Sequence, residues 1–271
     1  MQSKLINFSE KYPDITLNAF IHEDAIEPLA TIVVCPGGGY SMVCMSYEGV
    51  DVAEHYYNAG FNALVLDYYT GEKIKALEPT IQVALAVKYV REHAEELHAD
   101  SNKILTSGFS AGGHLAGSAG ILWNIPEVKT ALGDAPEGIN RPNGMILCYP
   151  VVTAGEFAHR GSFENLTGNK EYGEAETNKF SLEKNVDSTT PPMFIWHTVT
   201  DGCVPVQNSL LLVNAYLENN RPFEAHIYPK GPHGMGLCRP DSPSQYPEAH
   251  DPHVRTWSSL AVMWINDTFN K

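Results

Sequence analysis

"KILTSGFSAGGHLAG", residues 103–117, passes from a β-branched, apolar run into a string of small residues through Gly-Phe-Ser-Ala-Gly at 108–112. The spacing Gly-x-Ser-x-Gly is what a sharp strand-to-helix turn needs. Its glycines let the two backbones pass close together while the serine hydroxyl is pushed into the open. Ser110 would then stand at a helix N-terminus, with the Ala111 N–H and the positive end of the helix dipole beside it. Five residues of common type recur by chance, so the surrounding chain has to supply the rest.

Working outward, short apolar runs bounded by Gly, Pro or Asp recur on both sides. ATIVVCP (30–36), FNALVLDYY (61–69), KILTSGF (103–109), NGMILCYPV (143–151), PMFIWHTV (192–199) and FEAHIYP (223–229) read as buried strands. DITLNAFIH (14–22) alternates apolar and polar residues, as a half-exposed antiparallel edge strand does. Val83, Val87, Val90, Ala94 and Leu97 recur at steps of three and four, the stripe of a helix packed on a sheet. Further helices are expected after Ser110, from Val206 to about Asn219, and from about Val254 to Phe269. Strands alternating with helices imply an α/β fold, a mostly parallel sheet of about seven or eight strands covered on both faces. No repeat or linker interrupts the pattern, so one domain over 1–271 is expected. Two long connections, 152–190 and 234–253, are expected to form a small lid or substrate walls.

Composition narrows the function classes. With 43% hydrophobic and 18% charged residues the chain reads as globular. A formal net charge of -14 argues against nucleic acid and against an anionic membrane surface as partners. No apolar run is long enough to span a bilayer. The N-terminal stretch has no signal-peptide character, so a cytoplasmic protein is expected, and the sequons at Asn165 and Asn266 then carry no glycan. Five cysteines without a CxxC pair fit free thiols in a reducing compartment.

A serine hydroxyl becomes a nucleophile only with a base, a group that orients the base, and donors for the oxyanion. CPGGGYSMV (35–43) follows the first buried strand, and its glycines can turn N–H groups inward. Gly38 and Gly39, with Ala111, are the candidate oxyanion donors. The stretch lacks G-x-G-x-x-G spacing and no Gly-Lys-Ser/Thr follows, which sets a phosphate-binding loop aside. Asp201 follows strand 192–199, and His233 follows strand 223–229, in the chain order serine, acid, histidine. Both fall just past the carboxyl end of a core strand, where sites gather in such sheets. His197 lies inside a strand and Asp187 in a polar loop, so both are worse placed. His250, His253 and Cys238 do not have zinc spacing, and Asp251 reads better as a helix cap. His114 reads as a buried, hydrogen-bonded side chain. No cofactor and no metal is expected.

PGGGY, GFSAGGHLAG, PPMFIWHTVTDGCVPVQNS and GPHG, in this order, resemble the α/β-hydrolase superfamily. Within it they are similar to the bacterial acetyl esterase and carbohydrate-esterase branch related to hormone-sensitive lipase. Lipase-like relatives begin the oxyanion motif with His; Pro36 here is similar to the small, xylan-acetylesterase-like group. The resemblance implies Ser110 as nucleophile, His233 as base, Asp201 as its partner, and Gly38, Gly39 and Ala111 as oxyanion donors. The family's elaborate N-terminal lipid-binding cap is expected to be absent, since only about thirty residues precede strand 30–36. A serine esterase acting on short acyl, chiefly acetyl, esters of small carbohydrates is expected, with a homo-oligomer compatible with it. A peptidase of the same fold and a non-catalytic binding protein are the alternatives.

Overall fold

A computed structural model describes residues 3–75, 77–241 and 249–270. Eight strands form one sheet: β1 (Lys4–Asn7), β2 (Thr16–Phe20), β3 (Leu29–Cys35), β4 (Asn62–Asp67), β5 (Ala99–Phe109), β6 (Gly144–Cys148), β7 (Met193–Thr198) and β8 (Phe223–Tyr228). Their spatial order is β1-β2-β4-β3-β5-β6-β7-β8; β2 runs antiparallel to both its neighbours, β1 and β4, and the other pairs are parallel. β2 is therefore not the edge. β1, four residues with Ile6 alone buried, pairs outside it and is too short to stand out in the sequence.

Apolar residues alternate between two cores. Val33, Leu64, Ile104 and Leu147 face one side, where α2 (Glu78–Glu92), α3 (Ala111–Ile121) and α7 (Gln207–Glu218) contribute Val83, Val87, Leu115 and Leu212. Ile32, Val34, Leu105 and Ile146 face the other, under α1 (Asp51–Asn58) and α8 (Thr256–Phe269), which bring Val52, Tyr56, Trp257 and Ala261. This double cover leaves β3, β4, β6, β7 and the second half of β5 almost wholly buried. α2 stops at Glu92, so Ala94 and Leu97 lie in the turns leading to β5, although Leu97 stays buried.

Segment 152–190, expected as a loop, contains two short helices, α5 (Arg160–Thr167) and α6 (Glu174–Phe180). A seven-residue helix, α4 (Pro126–Leu132), precedes β6. Buried Asn208 on α7 anchors the start of the 152–190 segment: its Oδ1 accepts the N–H groups of Val152 (2.9 Å) and Thr153 (3.1 Å), and its Nδ2 donates to the Phe157 carbonyl (2.8 Å). Asn208→Ala leaves two buried N–H groups unpaired, and urea unfolding is expected to show a loss of about 3 kcal/mol. Of the second long connection, residues 242–248 lie outside the described residues. All five cysteines are free thiols, and among the described residues no helix is long and apolar enough to cross a membrane.

Candidate active site

Ser110 links β5 to α3 with φ 55° and ψ -122°, a conformation that non-glycine residues rarely adopt. The turn is tight because β5 and α3 touch. A Cβ on Gly112 would lie 2.1 Å from the Cys35 carbonyl oxygen, and one on Gly108 would lie 2.0 Å from that of Gly112. The Ser110 N–H donates to the Cys148 carbonyl (3.1 Å), and its own carbonyl accepts the Val151 N–H (3.0 Å), so the end of β6 fixes the turn from one side.

The structure brings Ser110, His233 and Asp201 into one hydrogen-bonded line. His233 Nε2 is 2.7 Å from Ser110 Oγ, and Nδ1 is 2.7 Å from Asp201 Oδ2. A carboxylate can only accept, so Nδ1 carries the proton and Nε2 is free to accept from the serine hydroxyl. Asp201 Oδ1 accepts the N–H groups of Cys203 and Val204, both at 2.9 Å. Burial alone would raise this carboxyl. Hydrogen bonds from His197 and His233, the charge of His233 and the Val204 N–H outweigh it and hold the group well below the usual carboxylate range.

The glycine turn faces the same place. Its carbonyls are each engaged elsewhere: Pro36 by the Tyr68 hydroxyl (2.6 Å), Gly37 by the Cys44 N–H (2.9 Å), Gly38 by the Ser41 N–H (3.0 Å), and Gly39 by Asn165 Nδ2 on α5 (2.8 Å). The N–H of Gly37 donates to buried Glu48 (2.9 Å). Those of Gly38, Gly39 and Ala111 have no acceptor among the described residues. A cleft of about 250 Å³, lined in part by Gly38, Gly39, Ser110, His159 and His233, opens over them.

Two histidines beside the site, His197 and His159, stand out in no sequence pattern, whereas His114 is buried and hydrogen-bonded as expected. His197, dismissed for lying inside β7, is buried with Nε2 3.3 Å from Asp201 Oδ2 and 3.0 Å from the Val204 carbonyl, while Nδ1 accepts from Ser209 Oγ (2.7 Å). It holds the acid from behind. His159, at the start of α5, lines the cleft and pairs through Nδ1 with Ser162 Oγ (2.8 Å); burial first, then the nearby charge of His233, pushes it down. His114 is buried between the Tyr40 hydroxyl and the Phe180 carbonyl, both at 2.8 Å, and burial pushes it down to about 4. Asp251 Oδ1 accepts the His253 N–H (2.8 Å) in the turn ahead of α8. Among the described residues no three His, Cys, Asp or Glu side chains gather as a metal site.

The eight-stranded sheet with its serine on the β5–α3 turn defines an α/β-hydrolase, as the motifs predicted. More narrowly, the chain belongs to the BD-FAE family, whose pattern matches residues 17–216. It is 38% identical over 241 residues, 88% of this chain, to endo-1,4-β-xylanase B of Butyrivibrio fibrisolvens. It is 30% identical over 210 residues, 76% of this chain, to an acetylxylan esterase of Xylanibacter ruminicola. The chain spans 37% and 41% of these relatives' own lengths. Among solved structures, an acetyl ester-xyloside bifunctional hydrolase from Caldicellulosiruptor lactoaceticus superposes with TM-score 0.85 at 33% identity, covering 97% of this chain and 96% of that one. A carboxylesterase from Lactobacillus plantarum shares the fold, with TM-score 0.83 at 24% identity over 98% of both chains.

Proposed function

We propose that the chain is a serine esterase that removes acetyl groups from small carbohydrates or xylo-oligosaccharides through an acyl-enzyme on Ser110. The observation that carries this reading is the 2.7 Å contact of Ser110 Oγ with His233 Nε2, made beside three N–H groups that have no other acceptor among the described residues. His233 Nε2 takes the hydroxyl proton as Oγ bonds to the ester carbonyl carbon. The carbonyl oxygen becomes an oxyanion among the N–H groups of Gly38, Gly39 and Ala111, each donor contributing roughly 3 to 4 kcal/mol in the transition state. His233 then protonates the departing alcohol oxygen as the C–O bond breaks. A water, deprotonated by the same nitrogen, releases the acid and restores Ser110. Asp201 keeps the imidazole in the required tautomer and faces the positive charge it acquires.

The substrate assignment draws on the relatives and on the cleft. A cleft of about 250 Å³ suits a small acyl group, and His159 Nε2, unpaired among the described residues, offers the alcohol a polar partner. His159→Ala is expected to lower kcat/KM for acetylated xylo-oligosaccharides roughly tenfold while changing that for p-nitrophenyl acetate less than about twofold, since the latter has no sugar hydroxyl to lose. Rates on p-nitrophenyl acetate and butyrate, with acetylated xylo-oligosaccharides alongside, test the reading. A preference for acetyl and release of acetate support it. Cleavage of aminoacyl anilides instead, or no ester turnover at all, would overturn it.

A further inference from the structure

Glu48 is the buried ionisable group next to the site for which the esterase chemistry above has no use. It is 2% exposed, in a single π-helical turn (Ser46–Val50) that leads into α1. Burying a carboxylate without a cation disfavours folding, and among the described residues no Lys or Arg pairs with this one. Burial raises its carboxyl above the usual range, against the opposing effects of the Tyr149 hydroxyl, His233 and the Gly37 N–H.

Its two oxygens hold two different parts of the site. Oε2 accepts the Gly37 N–H at 2.9 Å, at the root of the glycine turn. A Cβ at Gly37 would lie 2.5 Å from that oxygen and 3.0 Å from Ser110 Cβ, so the turn is packed between the carboxylate and the serine. Oε1 accepts the Tyr149 hydroxyl at 2.7 Å. Tyr149, at the end of β6 with φ 37°, sets its ring 5.0 Å from that of His233, and its hydroxyl accepts the Gly236 N–H at 2.9 Å. Trp257 Nε1 donates to the Gly236 carbonyl at 3.0 Å and closes the loop from below.

We propose that Glu48 is a positioning residue that locks the oxyanion turn and the His233 loop into one register through Gly37 and Tyr149. This rests on the esterase reading above. The carboxylate bonds the Gly37 N–H directly and reaches the His233 loop through Tyr149, whose hydroxyl accepts the Gly236 N–H and whose ring packs on His233, so one side chain sets the spacing between the oxyanion turn and His233 Nε2 before substrate arrives. Misplacement of reacting groups by about 1 Å costs on the order of 100-fold in rate.

The test uses the full chain with p-nitrophenyl acetate, with active sites titrated by a phosphonylating reagent. A Gln at 48 can accept from only one of the two donors and turns its amide N–H toward the other. E48Q is expected to lower kcat per titrated site roughly 100-fold with KM within about threefold. A purely structural role would lower the number of titratable sites and leave kcat per site unchanged, which would overturn the proposal. If E48Q does not fold, Y149F removes one hydroxyl and keeps the ring. A roughly tenfold fall in its kcat at constant KM supports the coupling, and wild-type kcat contradicts it. Ester turnover that persists in Ser110→Ala would instead overturn the esterase reading, a separate outcome.

Discussion

Ser110→Ala is expected to lower kcat for p-nitrophenyl acetate by about 10⁵-fold while leaving the protein folded. Among the described residues the hydroxyl makes one hydrogen bond, to His233 Nε2, so its removal strips no structural contact from β5 or α3. The backbone contacts of the turn, from the Ser110 N–H to Cys148 and from Val151 N–H to the Ser110 carbonyl, are independent of the side chain. Residual rate above water would come from the Gly38, Gly39 and Ala111 donors, which still hold the carbonyl. Full turnover in this variant would contradict Ser110 as the nucleophile.

Asp201→Asn has the second largest expected effect, about 10⁴-fold in kcat with little change in KM. The reason lies in what Oδ1 already does. It accepts the N–H groups of Cys203 and Val204, so an asparagine must place its carbonyl there and turn its amide N–H₂ toward His233. Nδ1 then becomes an acceptor, the ring proton moves to Nε2, and Nε2 can no longer take the proton of Ser110. The same substitution changes acid stability. The folded carboxyl is held well below the usual carboxylate range, so its stabilisation is complete above the unfolded pKa near 4 and is lost as pH falls toward the folded value. Urea unfolding between pH 5 and 2 is expected to be less steeply pH-dependent in Asp201→Asn than in wild type.

Much of this could be read from the chain because strands buried on both faces declare themselves. ATIVVCP, KILTSGF and PMFIWHTV are dominated by apolar and β-branched residues, and Ser110 and Asp201 stand just beyond two of their carboxyl ends. β1 escaped notice because KLIN buries one residue, and with it went the edge position of β2. α5 and α6 were hidden in a polar, glycine-containing stretch, where eight and seven residues give too few turns for a periodic signal. The supporting residues were invisible for a different reason. Asn165 meets Gly39 across 126 positions and Tyr149 meets Glu48 across 101, contacts that no local pattern encodes. Asn165 sits in a sequon, yet its side chain is committed to the glycine turn. His197 lies one residue before the carboxyl end of β7, where no local pattern tells that its Nε2 reaches the Asp201 carboxylate.

Ser110 Oγ is the atom proposed to carry the acyl group. The most direct measurement is labelling of the full chain with diethyl p-nitrophenyl phosphate, followed by peptide mass mapping and a parallel assay of p-nitrophenyl acetate hydrolysis. One diethylphosphoryl group per chain on the peptide containing Ser110, appearing in step with loss of activity and absent from Ser110→Ala, is the predicted result. Loss of activity with the label on another residue, or activity that persists with Ser110 fully labelled, would contradict it.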